Sequence, residues 1–196
     1  MLAVDQRDPD SLIPDAIRNL LTEIGDDPAR EGLRDTPDRV RRTYLELTDG
    51  YRTDPRTLLN QATFDVDTDE MVVVRDIEFY SLCEHHLLPF FGRAHVGYLP
   101  SGRVVGLSKI PRVVDMFAHQ LQVQERLTQE IASYLMERLQ PKGVGCVVEA
   151  THLCMSMRGV RKQEATMVTS AMLGTFRSDA RTRSEFLTFI DRTPGR

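Results

Sequence analysis

A chain of 196 residues with 41% hydrophobic and 28% charged side chains is long enough for one good core, burying roughly 70% of its unfolded surface. No apolar run approaches the ~20 residues of a membrane span, the opening Met-Leu-Ala-Val-Asp-Gln lacks the basic start and apolar run of a signal peptide, and the three cysteines lack framework spacing, so the expectation is a cytoplasmic protein in a reducing compartment without membrane contact. With a formal net charge of −4 a broad electropositive footprint for nucleic acid is not expected, and any anion must be met locally.

Ile13, Ile17, Leu20, Leu21 and Ile24 recur at helical spacing around a first-turn Pro14, and Gly25 closes the run. A second helix is predicted from Thr36-Pro37, with Thr36 as its cap and Val40, Tyr44 and Leu47 on one face, stopping at Gly50. Residues 1–60 therefore read as a helical preface to a main domain over 61–196. From Phe64 to Tyr80 the chain turns β-rich and runs directly into Cys83. Gly92 to Tyr98 and Val104 to Leu107 read as strands around the turn Pro100-Ser-Gly-Arg103, and Ser108 is placed to cap the next helix. That helix gives way to a longer one striped by Val123, Leu127, Ile131, Leu135 and Leu139 and ended by Pro141-Lys-Gly143. Val144 to Thr151 and Thr166 to Leu173 are apolar runs suited to strands, and Thr182 to Ile190 reads as a closing helix. The class is α+β: an antiparallel sheet with two long helices on one face, its other face and edges still in need of cover.

Chemistry concentrates in Ser81-Leu82-Cys83-Glu84-His85-His86, where a thiol and two imidazoles lie within four residues. A Cys-x-x-His step can close two bonds on one Zn²⁺, and a third ligand is expected from Cys154 in Thr151-His152-Leu153-Cys154. Three protein ligands leave one position open, as a catalytic zinc requires. The plainer reading is that free cysteines pack as small hydrophobes. Two clusters argue against it for Cys83 and Cys154, whereas Cys146, among valines, reads as core.

Gly106-Leu-Ser-Lys-Ile-Pro-Arg112 is a strand-to-helix junction whose first turn offers N–H groups to an anion, with Lys109 and Arg112 on one face. A capped helix with surface charges is the plainer reading. Gln122-Val-Gln124-Glu125-Arg126 is either a polar helix start or a guanine reader, since a fixed carboxylate accepts both the N1 and the 2-amino hydrogens.

Taken together, Cys83-Glu-His-His86, Gly106-Leu-Ser-Lys109, Gln122-Val-Gln-Glu-Arg-Leu127, Thr151-His-Leu-Cys154 and Arg158-Gly-Val160 resemble the signature segments of GTP cyclohydrolase I, in the family order, over about Thr36 to Ile190. The resemblance implies a tunnelling fold (T-fold) and a homodecamer of two face-to-face pentamers with active sites between subunits. It also implies hydrolysis of GTP to 7,8-dihydroneopterin triphosphate and formate, the first step towards folate and other pteridines. Carried over by residue, Cys83, His86 and Cys154 resemble the zinc ligands, and His85 and His152 the acid/base pair. Glu125 takes the guanine edge with Gln124 supporting it. Ser108, Lys109, Arg112 and Arg158 take the triphosphate, with Arg39 as a further phosphate contact from another subunit. The first 35 residues match poorly.

Two other classes compete. A zinc nucleobase deaminase would need a His-x-Glu step followed by Pro-Cys-x-x-Cys, and neither occurs. A structural zinc scaffold should offer four ligands and gives no reason for His85 and His152 to flank the metal.

Overall fold

The structure, a computed structural model, describes residues 11–59 and 62–191. It divides into two compact units, the first ending at Asp49 and the second starting at Gly50. The boundary expected at residues 60 and 61 lies outside the described residues. Residues 50–59 belong to the second unit for physical reasons. The Gly50 N–H donates to His119 O at 3.0 Å, and the Leu121 N–H donates to the Tyr51 hydroxyl at 3.0 Å. A Cβ on Gly50 would lie 2.1 Å from Met116 O, so only glycine permits that approach.

The first unit holds α1 (Ile13–Glu23) and α2 (Thr36–Leu47). Pro14 sits in the first turn of α1, and Gly25, at φ +91, ends the run in the left-handed region. Thr36 is the first residue of α2 rather than its cap. The preceding Asp35 makes no side-chain cap bond either, and Pro37 removes one of the N–H groups a cap would serve.

The second unit opens with β1 (Thr63–Asp65), β2 (Val72–Cys83), β3 (Pro89–Leu99) and β4 (Arg103–Val105), followed by α3 (Lys109–Ala118), β5 (Leu121–Gln122) and α4 (Gln124–Leu139). It closes with β6 (Gly143–His152), the turn of helix α5 (Leu153–Ser156), β7 (Met167–Gly174), the short α6 (Thr175–Ser178) and α7 (Ala180–Ile190). β1 and β4 pair by themselves, and the main sheet has the order β5-β2-β3-β6-β7, antiparallel except for the short β2–β5 contact. β5, α5 and α6 are too short to leave a periodic signal.

Alternation along the strands assigns one face to each parity. Phe79, Phe90, Val96 and Val148 face the helices, where Val113, Val114, Leu127 and Ile131 complete a core of almost wholly buried side chains. Both longer helices thus pack on one side. Cys146 lies in this core at 0% exposure, and burial pushes its thiol up to about 12. A bulge between Val74 and Ile77 adds one residue to β2 and brings Asp76 to φ +60.

Part of the opposite face is covered from within the chain. Gly97 and Gly145 stand opposite one another on β3 and β6, and Phe176 and Phe186 occupy the space their side chains would take, in an edge-to-face pair at 5.4 Å. Towards the other end that face stays open, with Tyr80 and Phe91 stacked at 5.8 Å over a cavity of about 320 Å³ that also meets Glu78, Arg93 and Glu149.

Candidate active site

β2 ends on Cys83, and the loop to β3 closes on that residue. The Cys83 N–H donates to Leu88 O at 2.9 Å, and the Leu87 N–H donates to Cys83 O at 2.8 Å. Leu87 adopts φ +53, a conformation costing a non-glycine residue about 1–2 kcal/mol. The tight turn folds both imidazoles back over the thiol, with His85 Nδ1 at 3.8 Å and His86 Nδ1 at 4.0 Å from Cys83 Sγ. The two rings stand at 80° with centroids 6.3 Å apart, so they are directed differently.

Sheet register supplies the remaining groups. Ser81 pairs with Phe90, which pairs with His152, a single row across β2, β3 and β6. β6 ends at His152, and the α5 turn then carries Cys154 back towards Cys83. Ligand atoms of Cys83, His86 and Cys154 all lie within 4.8 Å of one another, and His85 enters no such three-residue group among the described residues. Tetrahedral coordination at ordinary Zn–S and Zn–N lengths separates ligand atoms by about 3.5–3.8 Å, a small contraction from this arrangement. The donor set of two thiols and one imidazole suits a borderline-soft ion. Burial and the neighbouring Cys83 thiol raise the Cys154 pKa, a cost that a bound cation would reverse by favouring the thiolate.

His152 stands beside this group, half-buried. The Phe90 ring lies parallel to the imidazole at 2° with centroids 4.6 Å apart, and His152 Nε2 is 2.8 Å from Gln124 Oε1. Burial lowers its pKa, while the charge of Glu125 opposes that shift. Glu125 is therefore close enough for its charge to act on the imidazole, and its carboxylate is exposed at the start of α4. Gln124 differs: it is only 1% exposed, and its amide is bonded inward.

The cations expected at the site are placed as follows. Lys109 begins α3 and donates from Nζ to Leu58 O at 2.8 Å, and Arg112 lies exposed one turn on. Ser108 makes no cap bond, because its αR backbone (φ −67, ψ −11) is not that of an N-cap. Arg158 is exposed and near enough to Cys154 for its charge to oppose the rise in that thiol's pKa. Arg39 belongs to the first unit, where it pairs with Asp35 at 3.5 Å.

Three contributors were missed in the sequence. Phe90 lies outside every motif and is found only through strand register. Glu84 and Arg126 form an ion pair, and Arg126 also donates to Gln122 Oε1 and Leu121 O, each at 2.9 Å. Their signal was available as opposite charges inside two separate motifs.

The family profile described as GTP cyclohydrolase I matches residues 13–191. The chain is 58% identical over 174 residues to "GTP cyclohydrolase 1" of Leptospira biflexa, covering 89% of this chain and 95% of that one. It is 56% identical over 178 residues to the protein of the same name from Coxiella burnetii, covering 91% and 97%. With that of Synechococcus sp. it shares 59% over 175 residues, covering 89% and 76%.

Proposed function

From the chain's membership of the GTP cyclohydrolase I family, we propose that it is an enzyme that hydrolyses GTP to 7,8-dihydroneopterin triphosphate and formate, with zinc held by Cys83, His86 and Cys154. The antiparallel sheet with two helices on one face is the family's tunnelling fold. The observation that carries the reading is convergence: two thiols and an imidazole gather at one end of the sheet, beside a second imidazole held by Phe90 and within reach of the charge of Glu125.

When bound, zinc supplies Lewis acidity and makes water a nucleophile near neutral pH. The chain's own residues bind and move protons. Glu125 accepts the N1 and 2-amino hydrogens of guanine, a pattern adenine cannot offer. His152, kept largely neutral by burial, and the exposed His85 exchange protons with the purine as the imidazole ring opens and formate leaves. Protonation at N7 is the step that makes C8 electrophilic. Lys109, Arg112 and Arg158 meet the triphosphate with Ser108 and the first turn of α3, and Lys109 keeps donors beyond the one given to Leu58. Arg39 reaches a phosphate from another subunit.

A decamer of two face-to-face pentamers in a cytoplasmic setting completes the reading. Its support is the exposure of Tyr80, Phe91 and Val168 on the sheet face opposite the helices, and the unpaired outer edge of β7 among the described residues. No helix among the described residues is long and apolar enough to cross a membrane.

The test is incubation of the protein with GTP while its ultraviolet spectrum and formate are followed. A pterin spectrum and stoichiometric formate are expected. Ammonia release, or an unchanged guanine spectrum from metal-replete protein, overturns the proposal.

A further inference from the structure

We infer that Gln124 is a positioning residue for His152, fixing its imidazole as the Nε2–H tautomer and leaving Nδ1 as the nitrogen that exchanges protons with the substrate. The inference rests on the proposed acid/base role of His152, but its geometry stands independently of that role.

Which end of the Gln124 amide faces the imidazole follows from its other partners. Its Nε2 lies 2.9 Å from Val148 O, 3.0 Å from Met167 O and 3.2 Å from Thr169 Oγ1. Two of these are backbone carbonyls, which can only accept, so the group facing them must be the NH₂. Reversing the amide would set an oxygen against two carbonyl oxygens in a site where the residue is 1% exposed. Oε1 is therefore the atom 2.8 Å from His152 Nε2, and because it too can only accept, the imidazole nitrogen must carry the hydrogen.

Neighbouring contacts remove the remaining freedom. The Thr128 hydroxyl donates to Gln124 O at 2.7 Å, with its oxygen 2.6 Å from Thr169 Oγ1, which anchors the first turn of α4 to β7. Parallel stacking on Phe90 sets the plane of the imidazole, and the Gln124 bond sets its rotation within that plane. Nδ1 makes no hydrogen bond to a described residue. The support that the family resemblance gives Gln124 at the guanine edge is thus compatible with a service that passes through His152, since the amide is held by these bonds.

The experiment has two arms. Nitrogen-15 NMR of the histidines in the metal-replete wild-type protein, at mildly alkaline pH, reads the tautomer directly, and His152 should be the Nε2–H form. An Nδ1–H form or an even mixture overturns the inference whatever the activity on GTP, so its failure is separable from failure of the proposed function. In the second arm, Gln124→Met should keep its metal and its fold by circular dichroism, show a mixed His152 tautomer, and lose about 10- to 100-fold in kcat with little change in the KM for GTP. Unchanged kcat, or a lost kcat with an unaltered tautomer, overturns the positioning role. If Gln124→Met does not fold, the wild-type tautomer alone decides.

Discussion

Glu84, in the loop between β2 and β3, and Arg126, in the first turn of α4, form an ion pair that joins the turn carrying Cys83 and His86 to the helix carrying Glu125. The guanidinium holds the Glu84 carboxyl below its usual range, and Arg126 is itself fixed by Gln122 and Leu121. Arg126→Ala should remove one tie between the turn and α4, leaving the Glu84 N–H bond to Gln122 O in place. The expected outcome is a metal affinity weaker by about 10-fold or more, measured by competition with a chelator, with little change in thermal stability because the pair is largely exposed.

Metal content should separate the cysteines and the two adjacent histidines. Cys83→Ser, His86→Ala and Cys154→Ser should each lose the bound metal, since each removes one of the three proposed ligands. Cys146→Ser and His85→Ala should retain it. With its thiol pushed up to about 12 and no exposed surface, Cys146 should also resist alkylation near neutral pH until the protein unfolds, whereas the partly exposed Cys154 should react once the metal is chelated. Elemental analysis and thiol counting check both statements.

Burial lowers the His152 pKa from 6.5, so below that value the folded chain binds fewer protons at this site than the unfolded chain does. The stability tied to neutral His152 is therefore fully present above about pH 6.5 and lost as pH falls through the lowered pKa. Glu125 opposes the shift, so Glu125→Gln should move the His152 titration further towards acid. NMR titration of the two proteins checks the direction. A shift towards alkali in the variant would contradict it.

Gly97 and Gly145 make a stability prediction away from the site. A Cβ on Gly97 would lie 2.8 Å from Phe186 Cδ2, and one on Gly145 would lie 2.5 Å from Phe176 Cδ1. Either alanine substitution should destabilise by about 1–3 kcal/mol through overpacking, measured by urea unfolding. Both should leave metal binding unchanged, because α6 and α7 cover the sheet face opposite the one that carries Phe90 and His152.

Donor atoms were the most legible part of this chain. Thiols and imidazoles are scarce, so Cys83, His86 and Cys154 stood out, and apolar stripes located α3, α4 and β6. Groups that act by register were not legible. Phe90 reads as one more apolar strand residue, and only its pairing with His152 makes it a support for the imidazole. Gln124 looks like a solvated residue in a polar helix start; its burial depends on Val148 and Met167, far along the chain. Ser108 had the right side chain for a cap but the wrong backbone, and backbone dihedrals at a helix entrance are set by tertiary packing.

The row Ser81–Phe90–His152 makes the candidate centre a check on assembly of the sheet. Strand parity is binary, so a slip of one residue between β3 and β6 would turn His152 away from Gln124 and Phe90 and send Val148 and Cys146 out of the core at the same time. A slip of two would restore the parity but misplace Cys154 by roughly 7 Å, beyond the reach of an ion shared with Cys83. Recovery of metal binding after dilution from denaturant thus counts correctly registered molecules, and a compact but misaligned population would remain silent in that measurement.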